Sequence, residues 1–250
     1  MSASVAVIIP AAGKSTRFGG REKKPYVSLD GRPVWLRATE LFWSRDDVTK
    51  VYLVIAPEDR EDFRTRFGHL IAFANAEVIS GGSERFDSVA NALARIPDSV
   101  PFVAVHDAVR PLTPHALIDS VFSVAAKLGA AMLAVPVADT LKQVESATSR
   151  ITGTLSREGL WQAQTPQVFR RDWLAESYAR RTEITTPITD DAQLVEAMGH
   201  PVTVVAGSVV NFKITTKDDL DLAVAVLKAR GTKSAAAVRP SGPFDDEAKW

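Results

Sequence analysis

A loop of small residues followed by several cations lies near the start of the chain. Residues 10–13 are Pro-Ala-Ala-Gly, and the basic side chains that follow are Arg17, Arg21, Lys23 and Lys24. Because alanine and glycine carry almost no side chain, a ligand can lie against this backbone and meet its N–H groups. The cations would balance the charge of a polyphosphate. We therefore interpret this stretch as a phosphate-binding loop.

Two common nucleotide motifs do not account for this loop. The Gly-Lys-Ser-Thr string at 13–16 resembles a P-loop, but Ile8 stands where that motif needs its first glycine. The dinucleotide fingerprint also fails, because Ser15 and Phe18 replace its second and third glycines. A P-loop NTPase and a dinucleotide dehydrogenase are thus not predicted. A structural strand–turn–helix with a solvated basic loop is the alternative interpretation.

A second candidate stretch, residues 106–111, is His-Asp-Ala-Val-Arg-Pro and directly follows a predicted strand. Asp107 at the end of that strand is well placed to hold Mg²⁺, which prefers one or two carboxylates together with phosphate oxygens and water. Arg110 can bind a second phosphate through its guanidinium fork. An Asp–Arg surface pair is the alternative. His106 favours a structural role, since no second histidine supports a zinc site.

Two further stretches are suited to binding. Gly81 and Gly82 precede a predicted helix, and such a donor-rich loop could contact a base edge or a ribose, although an ordinary turn has the same pattern. Lys213 is the single lysine of an apolar segment that we predict to be a strand over 211–214. A lysine in that setting is either on a sheet edge or directed at an anion.

The bulk composition narrows the function classes. The 250 residues are 46% hydrophobic, which is enough for a sizeable core, and 30 basic residues balance 30 acidic ones, so bulk nucleic-acid binding is not expected. The absence of cysteine excludes disulfides and thiolate metal sites. No apolar run approaches about 18 residues, and no signal-like segment precedes the first strand. We expect a cytoplasmic protein without a membrane or nucleic-acid partner.

Strand and helix patterns alternate along the chain. Strands are predicted at 5–9, 51–56, 77–79, 102–105, 130–135 and 203–206, with helices between the first five at 33–43, 58–67, from Ser83 to about 96, and 114–128. This alternation predicts an α/β fold with a doubly wound, mostly parallel sheet. Ligands of such sheets bind beyond the carboxyl ends of the strands, so the loops at 10–24, 80–88 and 106–111 should share one edge.

The alternation is interrupted once and resumes before the end of the chain. Residues 137–160 contain two weakly alternating segments around a polar turn, which predicts a β-hairpin without an obvious core partner. Thr189 is predicted to cap a helix, and Thr216 with Asp219 forms a capping box for the last one. Residues 231–250 are interpreted as a C-terminal tail.

Taken together, the motifs resemble one family, the 2-C-methyl-D-erythritol 4-phosphate cytidylyltransferases of the non-mevalonate isoprenoid route. The resemblance covers about residues 5–230, which we interpret as a single cytidylyltransferase domain beginning at residue 1. Nine motifs occur in the family's order: Pro10-Ala-Ala-Gly13 with Arg17; Lys24 before Tyr26; Gly81-Gly82 with Arg85 and Ser88; His106-Asp107-Ala108 with Arg110-Pro111; Asp139-Thr140; Arg157 with Gly159-Leu160-Trp161; Thr165-Pro166-Gln167; Thr189-Asp190; and Asn211 with Lys213.

The resemblance implies a role for each matching position. CTP and a sugar-alcohol phosphate would be the substrates, with Mg²⁺ held by Asp107. Residues implied to bind the nucleotide are Pro10, Ala11, Ala12, Gly13, Gly82, Ser83, Ser88 and Ala108. Those implied to surround methylerythritol phosphate are Arg110, Thr140, Arg157, Thr165, Thr189 and Lys213. Arg17, Lys24 and Lys213 would be catalytic, and the 137–160 hairpin would be a dimerisation arm that carries Arg157 into the partner's site of a homodimer.

The chain departs from the family pattern at three places. Ser15 stands where the family usually has glycine, and Ser83 replaces a frequent aspartate. Lys23-Lys24-Pro25-Tyr26 replaces the usual Pro-Lys-x-Tyr/Phe, so Lys24 is assigned by counting back from the aromatic residue and Lys23 is the possible substitute. We also expect Pro25 to push Lys24 toward extended geometry.

Three other functions remain open at this stage. A ribitol-5-phosphate cytidylyltransferase shares most of these motifs, and a sugar-1-phosphate nucleotidyltransferase is a more distant possibility. A non-catalytic nucleotide-binding module would have lost a cation or Asp107, yet all of them are present. A phosphate nucleophile is already anionic at neutral pH, which fits a set of cations and one carboxylate without a Ser–His pair.

Overall fold

A buried apolar strand near the start of the chain lies inside a seven-stranded sheet in the computed structural model, which describes residues 4–13, 23–72 and 74–237. The elements are β1 (Val5–Pro10), β2 (Ser28–Leu29), β3 (Arg32–Pro33), α1 (Val34–Trp43), β4 (Val48–Ile55), α2 (Arg60–Ile71), β5 (Ala76–Ser80), α3 (Arg85–Leu93), β6 (Phe102–Val105), α4 (His115–Leu128), β7 (Ala130–Pro136), β8 (Leu141–Val144), β9 (Ile151–Leu155), β10 (Trp161–Arg170), α5 (Arg171–Ala179), α6 (Asp191–Ala197), β11 (Thr203–Ala206) and α7 (Lys217–Ala237). Short 3₁₀ turns span Lys24–Tyr26, Pro57–Asp59 and Arg181–Glu183.

The large sheet has the strand order β11-β7-β10-β6-β1-β4-β5. Strand β1 pairs in parallel with β4 and β6, β4 with β5, and β7 with β11. The predicted doubly wound, mostly parallel sheet is therefore confirmed. Strand β10 runs antiparallel between β6 and β7 and was not predicted. Its sequence contains three glutamines and a proline, which hide the apolar pattern of a central strand.

Side chains of β1 point alternately to two cores. Val5, Val7 and Ile9 pack with α1, α2 and α4 on one face of the sheet. Ala6 and Ile8 pack with α3, α5 and α6 on the other face. Because successive residues of a strand face opposite sides, a strand covered on both sides needs apolar residues at every position. Burial on both faces gives the sheet a rigid edge from which the binding loops emerge.

Two helix starts differ from the sequence-based expectation, which had one helix beginning at Ser83 and Thr189 as the cap of the other. The N-cap of α3 is Glu84, which forms a capping box with Asp87, and the Ser83 hydroxyl donates to Asp87 Oδ2 at 2.6 Å. The N-cap of α6 is Asp190 rather than Thr189, because the Asp190 side chain accepts from the Gln193 amide. The predicted capping box of Thr216 and Asp219 is present.

The end of the chain differs from expectation in two respects. Residues 211–214, predicted as a strand, form a loop, because the buried Asn211 side chain donates to the Thr165 carbonyl at 2.9 Å and the Ile214 amide donates to Val109. Helix α7 runs to Ala237, seven residues into the segment interpreted as a tail. Residues 238–250 lie outside the described part of the chain.

Residues 137–160 contain an antiparallel pair, β8 with β9, that forms its own two-stranded sheet. Its apolar side chains are solvent-exposed, with Ile151 64% and Leu155 51% accessible. The division of the chain into one domain, an arm and a tail stays a prediction. In the described ranges, no helix combines the length and apolar character needed to span a bilayer.

His106, the first residue after β6, is fully buried and joins two loops. Its Nε2–H donates to the Arg110 carbonyl at 3.0 Å, and its Nδ1 accepts from the Thr165 hydroxyl at 3.1 Å. The ring also packs on Phe42 at a centroid distance of 5.0 Å. Burial lowers the pKa of His106 to about 4, so the imidazole is neutral at pH 7. The structural role expected for this histidine agrees with these contacts.

This burial predicts acid-dependent stability. The pKa of this histidine is 6.5 in the unfolded chain and about 4 in the folded protein. Between these two pH values the unfolded chain binds a proton that the folded protein does not, so the free energy of unfolding should fall as the pH falls through that window. The loss from this residue should be about 2 kcal/mol between pH 7 and 5. Urea titrations at pH 7 and pH 5 give the free energy of unfolding of the wild type and of His106→Gln. The decrease between the two pH values should be larger in the wild type. Equal pH dependence in the two proteins would contradict the prediction.

Candidate active site

A cavity of about 840 Å³ opens at the carboxyl ends of β1, β4, β5 and β6. Three loops that the sequence analysis placed at one edge all contribute to its wall, as does the loop before α7. Predicted site residues that line the cavity are Pro10, Ala11, Ala12, Gly13, Lys24, Gly82, Ser83, Ser88, Asp107 and Lys213. Arg85, Glu84, Glu58 and Val109 also line it, although the sequence analysis assigned them no role. Arg17 lies outside the described residues.

The small-residue loops pack directly on each other. A side chain on Gly81 would place its Cβ 2.8 Å from Ala12 Cβ and 2.7 Å from Ser88 Oγ, so only glycine fits between the two loops. Ser88 Oγ accepts from the Gly82 amide at 3.1 Å and donates to the Glu84 carbonyl at 3.1 Å. Ser88 is buried and thus fixes the glycine loop from behind. Both loops present backbone to the cavity.

Asp107 is the electrostatic centre of the site. Lys213 Nζ lies 3.0 Å and Arg110 Nε 3.3 Å from Asp107 Oδ2, and Arg85 Nη2 lies 4.0 Å from Oδ1. Burial alone would raise the pKa of this carboxyl, but the three cations hold it well below its ordinary value. Asp107 is therefore ionised at neutral pH. Three cations face Asp107, and one of them, Arg85, also pairs with Asp191, so the cluster keeps one excess positive charge, which suits an anionic ligand.

Two of these cations are held by groups behind the cavity wall. Arg110 Nη1 donates to the Asn211 carbonyl at 2.7 Å, which links the loop after β6 to the loop that carries Lys213. Arg85 Nη2 lies 2.7 Å from the fully buried Asp191, whose other oxygen accepts from the Tyr178 hydroxyl at 2.5 Å. Burial opposes the charge of Arg85, but Asp191 and Asp107 raise its pKa.

The supporting pair of Asp191 and Tyr178 was not predicted from the sequence. These residues lie 106 and 93 positions after Arg85 in the chain, and neither belongs to a recognisable local pattern. A buried acidic residue can be found only when its surroundings are known. Only the packing of α5 and α6 against α3 and β6 brings them together.

Lys24 and Lys23 point to different surroundings. Lys24 is buried along the cavity wall, whereas Lys23 Nζ lies 2.7 Å from Asp59 Oδ2 and 3.2 Å from Glu58 Oε1. This placement agrees with counting back from Tyr26. Lys24 is the first residue of a 3₁₀ turn rather than extended, because the Tyr26 amide bonds back to the Lys23 carbonyl at 2.9 Å.

The remaining predicted substrate residues fall into two groups. Arg110 and Thr165 lie beside Asp107, since the Asp107 amide donates to Thr165 Oγ at 3.0 Å. Thr140, Arg157 and Thr189 do not line the cavity formed by the described residues. Thr140 and Arg157 belong to the exposed hairpin segment, where Arg157 bonds to the Ala138 carbonyl, and Thr189 bonds to Gln193. Ala108 is buried in the core behind the wall.

The acidic and histidine side chains of the site determine which kind of divalent cation site it can form. In the described ranges no cluster of three or more His, Cys, Asp or Glu side chains could hold a metal ion. Asp107 can supply a carboxylate to Mg²⁺, which takes one or two carboxylates from a protein when substrate phosphates and water complete its shell. The residues present fit a phosphate-bound Mg²⁺ and do not fit a metal held by protein alone.

This arrangement suits transfer between phosphate groups. His106 is neutral, buried and fully bonded, so it is not placed to act as a base on a ligand. Lys24, Lys213 and the glycine-rich backbone can instead position polyanions and stabilise charge as it develops at phosphorus. Such chemistry needs no proton abstraction, because a phosphate nucleophile is already ionised.

Comparison with known proteins agrees with this geometry. The sequence profile of 2-C-methyl-D-erythritol 4-phosphate cytidylyltransferase matches residues 5–229. The enzyme of that name from Rhodopirellula baltica is 40% identical over 90% of this chain and 96% of its own, and that from Pelotomaculum thermopropionicum is 41% identical over 93% and 98%.

A solved structure of a protein with the same name has the same fold as this chain. The Thermus thermophilus protein superposes with a TM-score of 0.72 at 34% identity, over 91% of this chain and 100% of that one. The names of these relatives give no support to the ribitol phosphate alternative. With its profile match, its relatives and its phosphate-suited cavity, the chain belongs to the 2-C-methyl-D-erythritol 4-phosphate cytidylyltransferase family.

Proposed function

We propose that this enzyme transfers CMP from CTP to 2-C-methyl-D-erythritol 4-phosphate, giving 4-diphosphocytidyl-2-C-methyl-D-erythritol and pyrophosphate. Family membership supports the reaction. The observation that carries it is the Asp107 cluster, in which one ionised carboxylate orients Lys213, Arg110 and Arg85 at the end of a glycine-lined cavity. A cavity of about 840 Å³ with Lys24, Arg85 and Lys213 in its wall suits a nucleoside triphosphate together with a small phosphate ester.

In this reaction a phosphate oxygen of methylerythritol phosphate attacks the α-phosphorus of CTP. The new O–P bond forms as the bond from the α-phosphorus to the bridging oxygen breaks, and pyrophosphate leaves with that electron pair. The barrier arises from repulsion between two polyanions and from charge that builds at the α-phosphoryl group. Lys24 and Lys213 lower both by positioning and by electrostatic stabilisation, as Arg17 is also expected to do.

Mg²⁺ is the proposed cofactor, and Asp107 is the residue that would hold it. When bound, the ion would neutralise phosphate charge and assist departure of pyrophosphate. The contacts of Asp107 with Lys213 and Arg110 would keep its carboxylate ionised and oriented. The backbone of loops 10–13 and 81–82 would meet the nucleotide. The cytoplasmic location of the reaction stays a prediction.

Removing the carboxylate charge tests the metal assignment. Asp107→Asn keeps the shape of the side chain and should leave the fold nearly intact, while Mg²⁺-dependent turnover should fall by about 10²-fold or more. Steady-state rates with CTP and methylerythritol phosphate at several Mg²⁺ concentrations measure the effect, and circular dichroism verifies folding. Full activity in this variant would rule the assignment out.

Lys24 should act on the transition state rather than on nucleotide binding alone. Lys24→Ala should lower kcat by about 10²-fold, which corresponds to roughly 3 kcal/mol. Lys50→Ala is the control, because Lys50 pairs with Glu77 at 3.7 Å and does not line the cavity. If the Michaelis constant for CTP rises while kcat is unchanged, Lys24 only binds. Loss of activity in Lys23→Ala with a silent Lys24→Ala would instead show that the register is wrong by one.

The hairpin is proposed to build a homodimer. An isolated two-stranded hairpin is marginal in water, and the β8–β9 pair exposes Val144, Ile151 and Leu155. Arg157 at its base does not reach the cavity of its own chain among the described residues. A symmetric dimer would bury these apolar side chains and bring Arg157 to the phosphate in the neighbouring site, where a guanidinium fork suits phosphate oxygens.

Subunit mixing distinguishes action within one chain from action across the dimer. Homodimers of Arg157→Ala and of Asp107→Asn should both be nearly inactive. In a mixed dimer, the site on the Arg157→Ala chain keeps Asp107 and receives Arg157 from its partner, so one complete site should restore about half of the wild-type activity per dimer. No recovery on mixing, or a monomer in analytical ultracentrifugation, would contradict the arm assignment but not the reaction.

A further inference from the structure

The turn that carries Lys24 has an unfavourable local sequence. Lys24 is the first residue of the 3₁₀ turn Lys24–Tyr26 and immediately precedes Pro25. A proline disfavours helical backbone at the residue before it, because its Cδ crowds that residue's backbone N–H and Cβ. Two backbone bonds close the turn, Tyr26 N–H to the Lys23 carbonyl at 2.9 Å and Val27 N–H to the Lys24 carbonyl at 3.3 Å. Tertiary contacts must supply further restraint.

One carboxylate contacts both sides of this turn. Asp59 accepts from Lys23 Nζ at 2.8 Å and 2.7 Å through its two oxygens, and Asp59 Oδ2 also accepts from the Tyr26 hydroxyl at 3.1 Å. The residues thus held are the neighbour before Lys24 and the last residue of the turn. Glu58 adds a third bond to Lys23 at 3.2 Å.

The contacts of Asp59 with Lys23 and Tyr26 are partly buried, which lets them restrain the backbone of the turn. The side chains of Lys23 and Asp59 are 25% and 15% exposed, so their ion pair is less screened than a surface pair. Burial and then Asp59 raise the pKa of Tyr26, so its hydroxyl stays protonated and donates. The Tyr26 ring packs against Phe63 and Phe67 of α2, each at a centroid distance of 6.1 Å. Asp59 is the N-cap residue of α2, so the carboxylate and the packing surface of the Tyr26 ring belong to the same helix.

We propose that Asp59 is a positioning residue for nucleotidyl transfer, which directs Lys24 at the nucleotide phosphates by holding Lys23 and Tyr26 on either side of it. Asp59 does not line the cavity among the described residues, so it acts through the turn and not on the substrate. The inference rests on the proposed role of Lys24. It gives a function to Lys23, whose charge is used inside the protein rather than on the ligand.

The test is a double-mutant cycle between Asp59→Asn and Lys24→Ala. Asp59→Asn preserves shape but removes the charge, and kcat should fall about tenfold with little change in the Michaelis constant for CTP, because a small misplacement of a catalytic group costs rate. In the Lys24→Ala background the same change should alter kcat by less than about twofold, since no lysine remains to be positioned. Glu61→Gln is the matched control, an exposed carboxylate on α2 that pairs with Arg64 at 2.7 Å, and it should leave kcat unchanged.

Each outcome separates this inference from the proposed function. If Lys24→Ala is harmful and Asp59→Asn is silent, the reaction assignment stands and the positioning role is wrong. If Lys24→Ala is itself silent, the proposed role of Lys24 fails and this inference with it. Equal losses from Asp59→Asn in both backgrounds would show a general structural or electrostatic effect and overturn the proposal. Should Asp59→Asn fold poorly, Tyr26→Phe removes only a hydroxyl and should lower kcat about threefold, again only when Lys24 is present.

Discussion

The ion cluster around Asp107 determines how the site is assembled. A buried carboxylate is tolerated only when cations and hydrogen bonds compensate the loss of water. Here Lys213, Arg110 and Arg85 come from three separate parts of the chain, and each is drawn to the same two oxygens. The cluster fixes the loops after β5 and β6 and the loop before α7 relative to one another. Two of its cations, Lys213 and Arg85, line the cavity where a polyanion would bind.

The groups behind this cluster explain its rigidity. Asp191, Thr165 and Asn211 are buried, and each bonds to a residue of the cluster or to the backbone beside it. They satisfy donors that would otherwise be buried without partners. A cationic wall built only from surface side chains would lose much of its order to rotamer freedom, so these inner contacts maintain the arrangement of the site before a ligand arrives.

Acidic residues in this chain serve two different purposes near the cavity. Asp107 faces the cavity and orients cations that also face it. Asp59 and Lys23 form an ion pair, and neither lines the cavity among the described residues. Of these two adjacent lysines, Lys24 lines the cavity and Lys23 is bound by Asp59 and Glu58. Charge counts along the sequence could not separate them.

Much of the architecture followed from local patterns, and much of the site did not. The continuous apolar run of Val5 to Ile9 predicts a strand covered on both faces, and the order of strands and helices predicts the edge at which the loops meet. Strand β10 was not predicted because its glutamines hide its burial. Residues 211–214 have the apolar pattern of a strand but form a loop, because the buried Asn211 side chain bonds to groups that are distant in the sequence.

Motif spacing was enough to identify residues that could do chemistry, since Asp107, Lys24 and Lys213 are found without coordinates. The partners of such residues follow only from the folded chain. The ion pair of Arg85 with Asp191 and the contact of Asp59 with Lys23 join residues 106 and 36 positions apart. Such contacts depend on how helices pack on the sheet, and hydrophobic periodicity specifies which face of a helix is buried but not which polar groups meet at its end.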